Sequence, residues 1–114
     1  MKAVFLDQHS LDQQDLDFSA LEAVFDEWVM YPQTDTEQVL ERIGDADVVI
    51  SNKVLLNADA LKQNPQLKLI LISATGTNNV DLLQAKAQGI VVCNCQAYGT
   101  SAVAQHTLML MLAL

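Results

Sequence analysis

Five short apolar runs recur along the chain, and segments with helical spacing of their apolar residues separate them. The runs are rich in β-branched and aromatic residues, which is typical of strands. Consecutive parallel strands must be joined by a crossover of helical length, so the alternation predicts an α/β fold with one doubly wound, parallel, five-stranded sheet and helices on both faces. The predicted strands cover residues 2–6, 28–31, 47–51, 69–72 and 90–93, with the first strand central.

Residue patterns typical of helix starts locate the helices that are predicted between the strands. Phe18, Leu21, Phe25 and Trp28 recur at helical spacing and predict one helix that lays these large groups on the sheet. Later helices are predicted to start at a capping box of Thr34 with Glu37, at Asn57, at Asn78 before residues 79–87, and at Thr100 or Ser101. Gly89 is expected to end the helix over residues 79–87.

Composition narrows the class of protein. A chain of 114 residues with 51% hydrophobic residues has the size and apolar content of one compact domain. Its formal net charge of -8 would repel phosphate backbones and anionic lipid headgroups, so neither a nucleic acid nor a membrane is an expected partner. There is no apolar run long enough to cross a bilayer and no pattern of a secretory leader, so a cytoplasmic location is expected.

The two cysteines carry little functional signal. Cys93 and Cys95 form a C-x-C arrangement, but no second pair of Cys or His residues completes a tetrahedral metal site. We therefore predict no metal site and expect both thiols to be buried and inert. The acidic residues Asp12, Asp15 and Asp17 are expected to form a solvated loop, since no calcium-loop spacing accompanies them.

The loop after the fourth predicted strand is the strongest candidate for a binding site. The apolar run 69–72 breaks abruptly into Ser-Ala-Thr-Gly-Thr-Asn-Asn, and Gly76 at its centre lets a ligand approach the main chain. The carboxyl ends of parallel strands share one edge of a sheet. That edge would gather the following polar residues: Asp7, Asn52, Lys53, Thr75, Gly76, Thr77 and Tyr98.

This set of residues predicts ligand binding, but it does not predict a catalyst. There is no nucleophile elbow, no zinc-protease motif and no phosphate-binding glycine fingerprint. His9 is expected to be a solvated loop histidine. One glycine alone is also compatible with an ordinary turn between a strand and a helix.

Three blocks together resemble the N-terminal part of the D-isomer-specific 2-hydroxyacid dehydrogenases, closest to the glycerate dehydrogenase or hydroxypyruvate reductase branch. The blocks are residues 74–81 (ATGTNNVD), 89–94 (GIVVCN) and 98–107 (YGTSAVAQHT). The resemblance implies a flavodoxin-like substrate domain into which a Rossmann cofactor domain is inserted. Residues 1–99 would then be the N-terminal portion of the substrate-binding (catalytic) domain, and residues 100–114 would begin the interdomain helix. The apolar ending is read as a chain that continues beyond Leu114.

The same resemblance implies the activity and the site. The family transfers a hydride between NAD or NADP and a small 2-keto or 2-hydroxy acid, with hydroxypyruvate/glycerate or glyoxylate/glycolate expected here. Its catalytic arginine, glutamate and histidine would lie beyond Leu114, so the 114-residue piece alone is expected to be inactive. The substrate-binding residues would be Asn52, Lys53, Thr75 and Gly76, and the cofactor-binding residues would be Thr75 and Val103.

Three further expectations follow from the same resemblance. Gln105 departs from the acidic residue that the family more often has there, so a polar role at that position is left open. His106 is expected to be a satisfied structural histidine of the helix that begins near residue 100, rather than the catalytic one. A homodimer is expected.

Two alternatives stay open at this point. A receiver-like signalling domain shares the five-stranded pattern, but it would need a phosphoacceptor aspartate after the third strand, where this chain has Ser51-Asn52-Lys53. A non-catalytic relative that uses the dehydrogenase scaffold to bind proteins differs from an enzyme only in residues outside this chain.

Overall fold

The computed structural model describes residues 1–114 and contains one parallel sheet of five strands. The strands are β1 (Lys2–Phe5), β2 (Glu27–Met30), β3 (Val48–Ser51), β4 (Leu69–Ile72) and β5 (Val91–Asn94). Their order in the sheet is β2-β1-β3-β4-β5, which is the flavodoxin-like doubly wound order. The predicted fold class is therefore confirmed, including the internal position of β1.

The first, second and fourth helices are shorter than the sequence pattern suggested. They are α1 (Ser19–Glu22), α2 (Val39–Ile43), α3 (Ala58–Lys62), α4 (Leu82–Ala87) and α5 (Thr100–Ala113), with 3₁₀ turns at Gln8–Ser10 and Thr36–Gln38. Asn57 caps α3 as predicted, because its side chain accepts the N–H of Ala60 at 2.9 Å.

Alternate residues of the strands face opposite sides of the sheet and build two cores. Val4, Val49 and Ile70 belong to the larger core, together with Ile43 from α2 and Leu61 from α3. On the other side, Phe5 packs edge-on against Phe18 with ring centroids 6.0 Å apart. One face of the sheet is thus covered by α2, α3 and α4, and only the region of α1 covers the other.

This unequal cover leaves one face of β4 only partly buried. Ile70 and Ile72 are buried, but Leu69 and Leu71 are only half-buried. On the neighbouring strand, Val91 is 57% exposed, because no helix of the described chain lies over that part of the second face. The helix α5 does not cover it either, since every residue of α5 is exposed and the molecule extends over 53 × 31 × 24 Å.

Three local predictions about helix caps are wrong, and each has a physical reason. Trp28 lies on β2, as the predicted strand over residues 28–31 has it, and its side chain joins the same aromatic cluster as Phe25, whose ring is stacked 5.8 Å away. Asp35 and Gln38 form the capping box, because the Thr34 hydroxyl is buried and donates to the carbonyl of Leu6.

The other two concern α4 and α5. Asp81 caps α4 by accepting the N–H of Gln84 at 2.9 Å, so the helix starts three residues later than predicted from Asn78. Gly99 takes the N-cap position of α5, without a side-chain hydrogen bond from Thr100 or Ser101.

The predictions for the two cysteines and for Asp12 are also wrong, whereas Asp15 and Asp17 are exposed as expected. Both Cys93 and Cys95 are exposed. Cys93 lies on β5, which is an edge strand whose second face is uncovered, and Cys95 lies in the loop that follows β5. Asp12 is buried at 5% exposure and its carboxylate accepts the N–H groups of Asp15 and Leu16 at 2.9 and 3.0 Å. The carboxylate therefore organises the loop from inside.

We expect both thiols to react with a disulfide reagent such as DTNB in the folded chain, because both are exposed. Two equivalents should be released before any urea is added, and Cys93→Ser should release one. Release of less than one equivalent until the chain is unfolded would show that the thiols are covered.

Gly89 is the glycine whose backbone conformation matters for stability. Its φ is +73°, and it ends α4 as predicted, with its N–H donating to the carbonyl of Lys86 at 3.1 Å. A Cβ at this position would meet nothing within 4 Å, so Gly89→Ala isolates backbone strain from crowding.

We expect Gly89→Ala to lower the free energy of unfolding by about 1 kcal/mol. Gly89→Asn should cost less, because asparagine tolerates the left-handed region better. Urea unfolding measures both variants. Equal costs for alanine and asparagine would contradict backbone strain as the cause.

Candidate functional site

The loop after β4 presents a row of unused backbone donors. The peptide N–H groups of residues 74–79 donate to no protein acceptor, whereas Ser73 before them donates to Ser51 and Val80 after them donates to Thr77. Gly76 in the middle of this row is exposed. Backbone N–H groups without internal partners at the end of a strand are typical of sites that bind anions.

Gly76 is required for space rather than for an unusual backbone angle. Its φ does not lie in the positive region. A Cβ on Gly76 would lie 3.3 Å from Oδ1 of Asn78, which is a tight contact. The glycine keeps the main chain open to solvent on this side.

The loop after β3 is held beside this row by a buried carboxylate. Asp7, at the end of β1, is 5% exposed, and its two oxygens accept the N–H groups of Asn52 at 2.9 Å and Lys53 at 2.6 Å. The Asn52 side chain donates in turn to Oγ of Ser10 at 3.0 Å. Lys53 is exposed and forms no ion pair, so its ammonium group is available to a ligand.

The two loops meet around a cavity of about 270 Å³ at the carboxyl edge of the sheet. Its lining residues are Asn52, Lys53, Ala74, Gly76, Asn78 and Asn79. Three of the four predicted substrate-binding residues are thus brought together: Asn52, Lys53 and Gly76. Asn79 fastens the loops to each other, because its side chain donates to the carbonyl of Val54 at 3.1 Å and its own carbonyl accepts the N–H of Leu56 at 2.8 Å.

Thr75 lies on the other side of the same loop. It lines a second cavity of about 660 Å³ whose wall includes Tyr98, Gly99 and Val103. The two predicted cofactor-binding residues, Thr75 and Val103, therefore share one cavity. The wall combines small residues with two threonines and Tyr98, and it contains no basic side chain that would hold a phosphate.

The pKa of Asp12, in the loop after β1, depends on hydrogen bonds as well as on burial. Burial by itself would raise the pKa of the Asp12 carboxyl group. The N–H groups of Asp15 and Leu16, together with the side-chain amide of Gln8, outweigh this effect and hold the pKa below its usual value. The Asp12 carboxyl group therefore loses its proton more readily than a free aspartate side chain. His9 is exposed, as predicted for a solvated loop histidine.

Sequence reasoning missed the residues that hold the loops. The sequence predicts that Asp7 lies at the sheet edge, but it does not predict the hydrogen bonds of Asp7 to the loop after β3. It assigns Asn79 only to a helix, whereas the Asn79 side chain holds the loop after β3. A polar residue directly at the end of a buried strand is the signal that could have identified Asp7. His106, expected to be a satisfied structural histidine, lies exposed on α5.

A parallel sheet in this order, with free amides at its carboxyl edge, defines a flavodoxin-like domain. The model of the family described as D-isomer specific 2-hydroxyacid dehydrogenase, catalytic domain, matches residues 4–109. The chain belongs to this family, so the resemblance predicted from the three sequence blocks is confirmed.

Individual relatives agree with the family assignment. The chain is 45% identical to a glycerate dehydrogenase of Methylorubrum extorquens over 99% of its length and 35% of the relative's. It is 41% identical to a hydroxypyruvate reductase of Blautia hydrogenotrophica over 98% of its length and 35% of the relative's. The chain therefore spans about a third of the length of these curated relatives.

A solved structure shows the same fold. The D-lactate dehydrogenase of Aquifex aeolicus, in complex with NAD and lactic acid, superposes with a TM-score of 0.77 at 28% identity, covering 99% of this chain and 33% of that one.

The receiver-like alternative loses its support, since the family is shown and β3 is followed by Asn52 and Lys53 rather than by an aspartate. No helix in the structure combines the length and apolar character needed to span a bilayer.

Proposed function

We propose that residues 1–99 are the substrate-binding part of an NAD(P)-dependent oxidoreductase that interconverts 2-keto acids and D-2-hydroxy acids, and that residues 100–114 lead towards its cofactor domain. Hydroxypyruvate/glycerate or glyoxylate/glycolate are the proposed substrate pairs. The observation that carries the proposal is the row of free amides at residues 74–79 beside the unpaired ammonium group of Lys53.

The proposed role of this wall is to bind the carboxylate that all these acids share. A carboxylate is bound best by charge-assisted hydrogen bonds from N–H groups, and the backbone around Gly76 offers several without competition from the protein. Lys53 places an exposed positive charge at the cavity, which favours a carboxylate there despite the formal net charge of -8. Thr75 and Gly76 orient the acid, and Asn52 borders it.

The cofactor NAD or NADP would be held mainly by the rest of the longer protein. The bound nicotinamide supplies the hydride chemistry. Within this chain, Thr75 and Val103 would flank its ring, a role that suits the wall of small residues that they share. The acid and base groups and the arginine that grips the carboxylate are proposed to lie outside residues 1–114, in the two-thirds of the relatives that this chain does not span.

The proposal also includes a cytoplasmic homodimer. Two free, exposed thiols fit a reducing compartment. The exposed apolar side chains of α5, such as Leu108, Met109 and Leu112, fit a surface that another part of the assembly covers.

A chimera tests the function directly. In the Methylorubrum extorquens glycerate dehydrogenase, the stretch that aligns with this chain is replaced by residues 1–114. NADH oxidation is then measured with hydroxypyruvate and with glyoxylate. We expect turnover with at least one of them. A folded chimera that consumes no NADH would overturn the proposed function.

Lys53 and Lys86 make a matched pair for this assay, because both are exposed lysines without an ion pair. Lys53→Gln should raise the KM for the keto acid about tenfold, since a hydrogen bond between charged groups is lost. Lys86→Gln, on α4, should leave it unchanged. Equal behaviour of the two variants would remove Lys53 from the site.

A further inference from the structure

The end of β5 holds the carbonyl groups of the amide-rich loop. Nδ2 of Asn94 donates to the carbonyl of Thr75 at 2.7 Å, and the N–H of Cys95 donates to the carbonyl of Ala74 at 3.0 Å. Two consecutive peptide groups of the loop are therefore attached to the neighbouring strand through their oxygen atoms.

Because the peptide group is planar, a hydrogen bond that holds its oxygen also fixes the direction of its N–H. In a trans peptide the N–H points opposite to the C=O of the same unit, and the chain has no cis peptide bond. The carbonyl of Thr75 and the N–H of Gly76 belong to one peptide unit. The carbonyl of Ala74 and the N–H of Thr75 belong to the preceding unit. Since both oxygens are held towards β5, both N–H groups point away from it, and Gly76 lines the cavity that it shares with Lys53.

We propose that Asn94 is a positioning residue for substrate binding, which sets the direction of the Gly76 N–H through its bond to the Thr75 carbonyl. This inference rests on the proposed function, because it assigns the oriented amide to the substrate carboxylate. Asn94 lines none of the cavities described above and therefore acts on the acid only through the loop.

The Asn94 side chain is well suited to this task. It belongs to the last residue of β5, so its backbone is fixed by the register that pairs Asn94 with Ile72 of β4. A donor fixed to one strand and an acceptor in the adjacent loop keep the loop ordered before the ligand arrives. Ordering in advance lowers the conformational cost of binding, which appears as a lower KM.

The test uses the active chimera with Asn94→Ala and Asn94→Asp. Aspartate has the same size as asparagine but cannot donate when ionised, and it places a negative charge against the carbonyl of Thr75. We expect the KM for hydroxypyruvate to rise about fivefold for alanine and more for aspartate, from the loss of one hydrogen bond. The KM for NADH and the midpoint of thermal unfolding should change little.

Gln96→Ala is the matched control, because Gln96 is an exposed amide side chain two residues away that forms no hydrogen bond. A second measurement does not depend on turnover. The NMR order parameters of the Thr75 and Gly76 amides should fall from about 0.85 to below about 0.6 in Asn94→Ala.

The outcomes separate the two proposals. A folded but inactive parent chimera would overturn the proposed function, and the order parameters would still decide whether Asn94 holds the loop. An active parent with unchanged KM in Asn94→Ala and Asn94→Asp would overturn the inference alone. A loosened loop with unchanged KM would also overturn it, because the orientation would then have no part in binding.

Discussion

Replacing Gly76 by valine should lower kcat/KM for the keto acid on the order of 100-fold, because a branched side chain displaces the substrate from the amides that orient it. A Cβ at this position already lies 3.3 Å from Oδ1 of Asn78, and the further methyl groups would occupy the cavity between Gly76 and Lys53. Stability should change by only about 0.5 kcal/mol, since Gly76 is exposed and its φ is ordinary. Steady-state kinetics of the chimera and urea unfolding measure the two effects.

A graded series sharpens this result. Gly76→Ala should show the same effect at smaller size, and the KM for NADH should stay constant in both variants as the internal control. If Gly76→Val retains the kcat/KM of its parent, the acid does not bind at this loop. If valine unfolds the protein instead, the assigned reason for the glycine is wrong.

Replacing Asp7 by alanine should lower the free energy of unfolding by about 2 to 3 kcal/mol, because the N–H groups of Asn52 and Lys53 lose a charged acceptor. The cost is large for one polar residue since the carboxylate is 5% exposed and both of its oxygens are used. Urea unfolding gives the value. Asp7→Asn, which retains one acceptor oxygen, should fall between alanine and the parent.

Glu41→Ala is the control for this change, because Glu41 is an exposed carboxylate on α2 that makes no hydrogen bond or ion pair in the structure. It should alter the unfolding free energy by less than about 0.5 kcal/mol. Similar costs for Asp7→Ala and Glu41→Ala would mean that the two bonds to the β3 loop do not stabilise the fold.

The strands were predictable because each of them carries its own signal. The run 69–72 is apolar throughout and is followed at once by small and polar residues, and the structure has β4 at Leu69–Ile72. The candidate site followed from the same logic, since Asn52 and Lys53 lie in the loop after β3, Gly76 lies in the loop after β4, and parallel strands end at one edge.

Helix starts and burial were predicted less well, because they depend on neighbours that are distant in sequence. Thr34 has the residue type of a cap, but the carbonyl of Leu6 takes its hydroxyl group, so Asp35 caps instead. Cys93 has the residue type of a core position, but it lies on an edge strand whose second face no helix covers. In both cases a tertiary contact, or its absence, outweighs a local preference.

The residues that orient the candidate site also separate into those set by local sequence and those set by tertiary contacts. Local sequence determines that a glycine-containing loop follows β4, because hydrophobic periodicity and turn chemistry act over a few neighbouring residues. Only the folded chain brings the Asp7 carboxylate to the amides of Asn52 and Lys53, 45 and 46 residues away, and the Asn94 side chain to the carbonyl of Thr75, 19 residues away. Hydrogen-bond partners across strands depend on sheet order and register, which the packing of all five strands decides together.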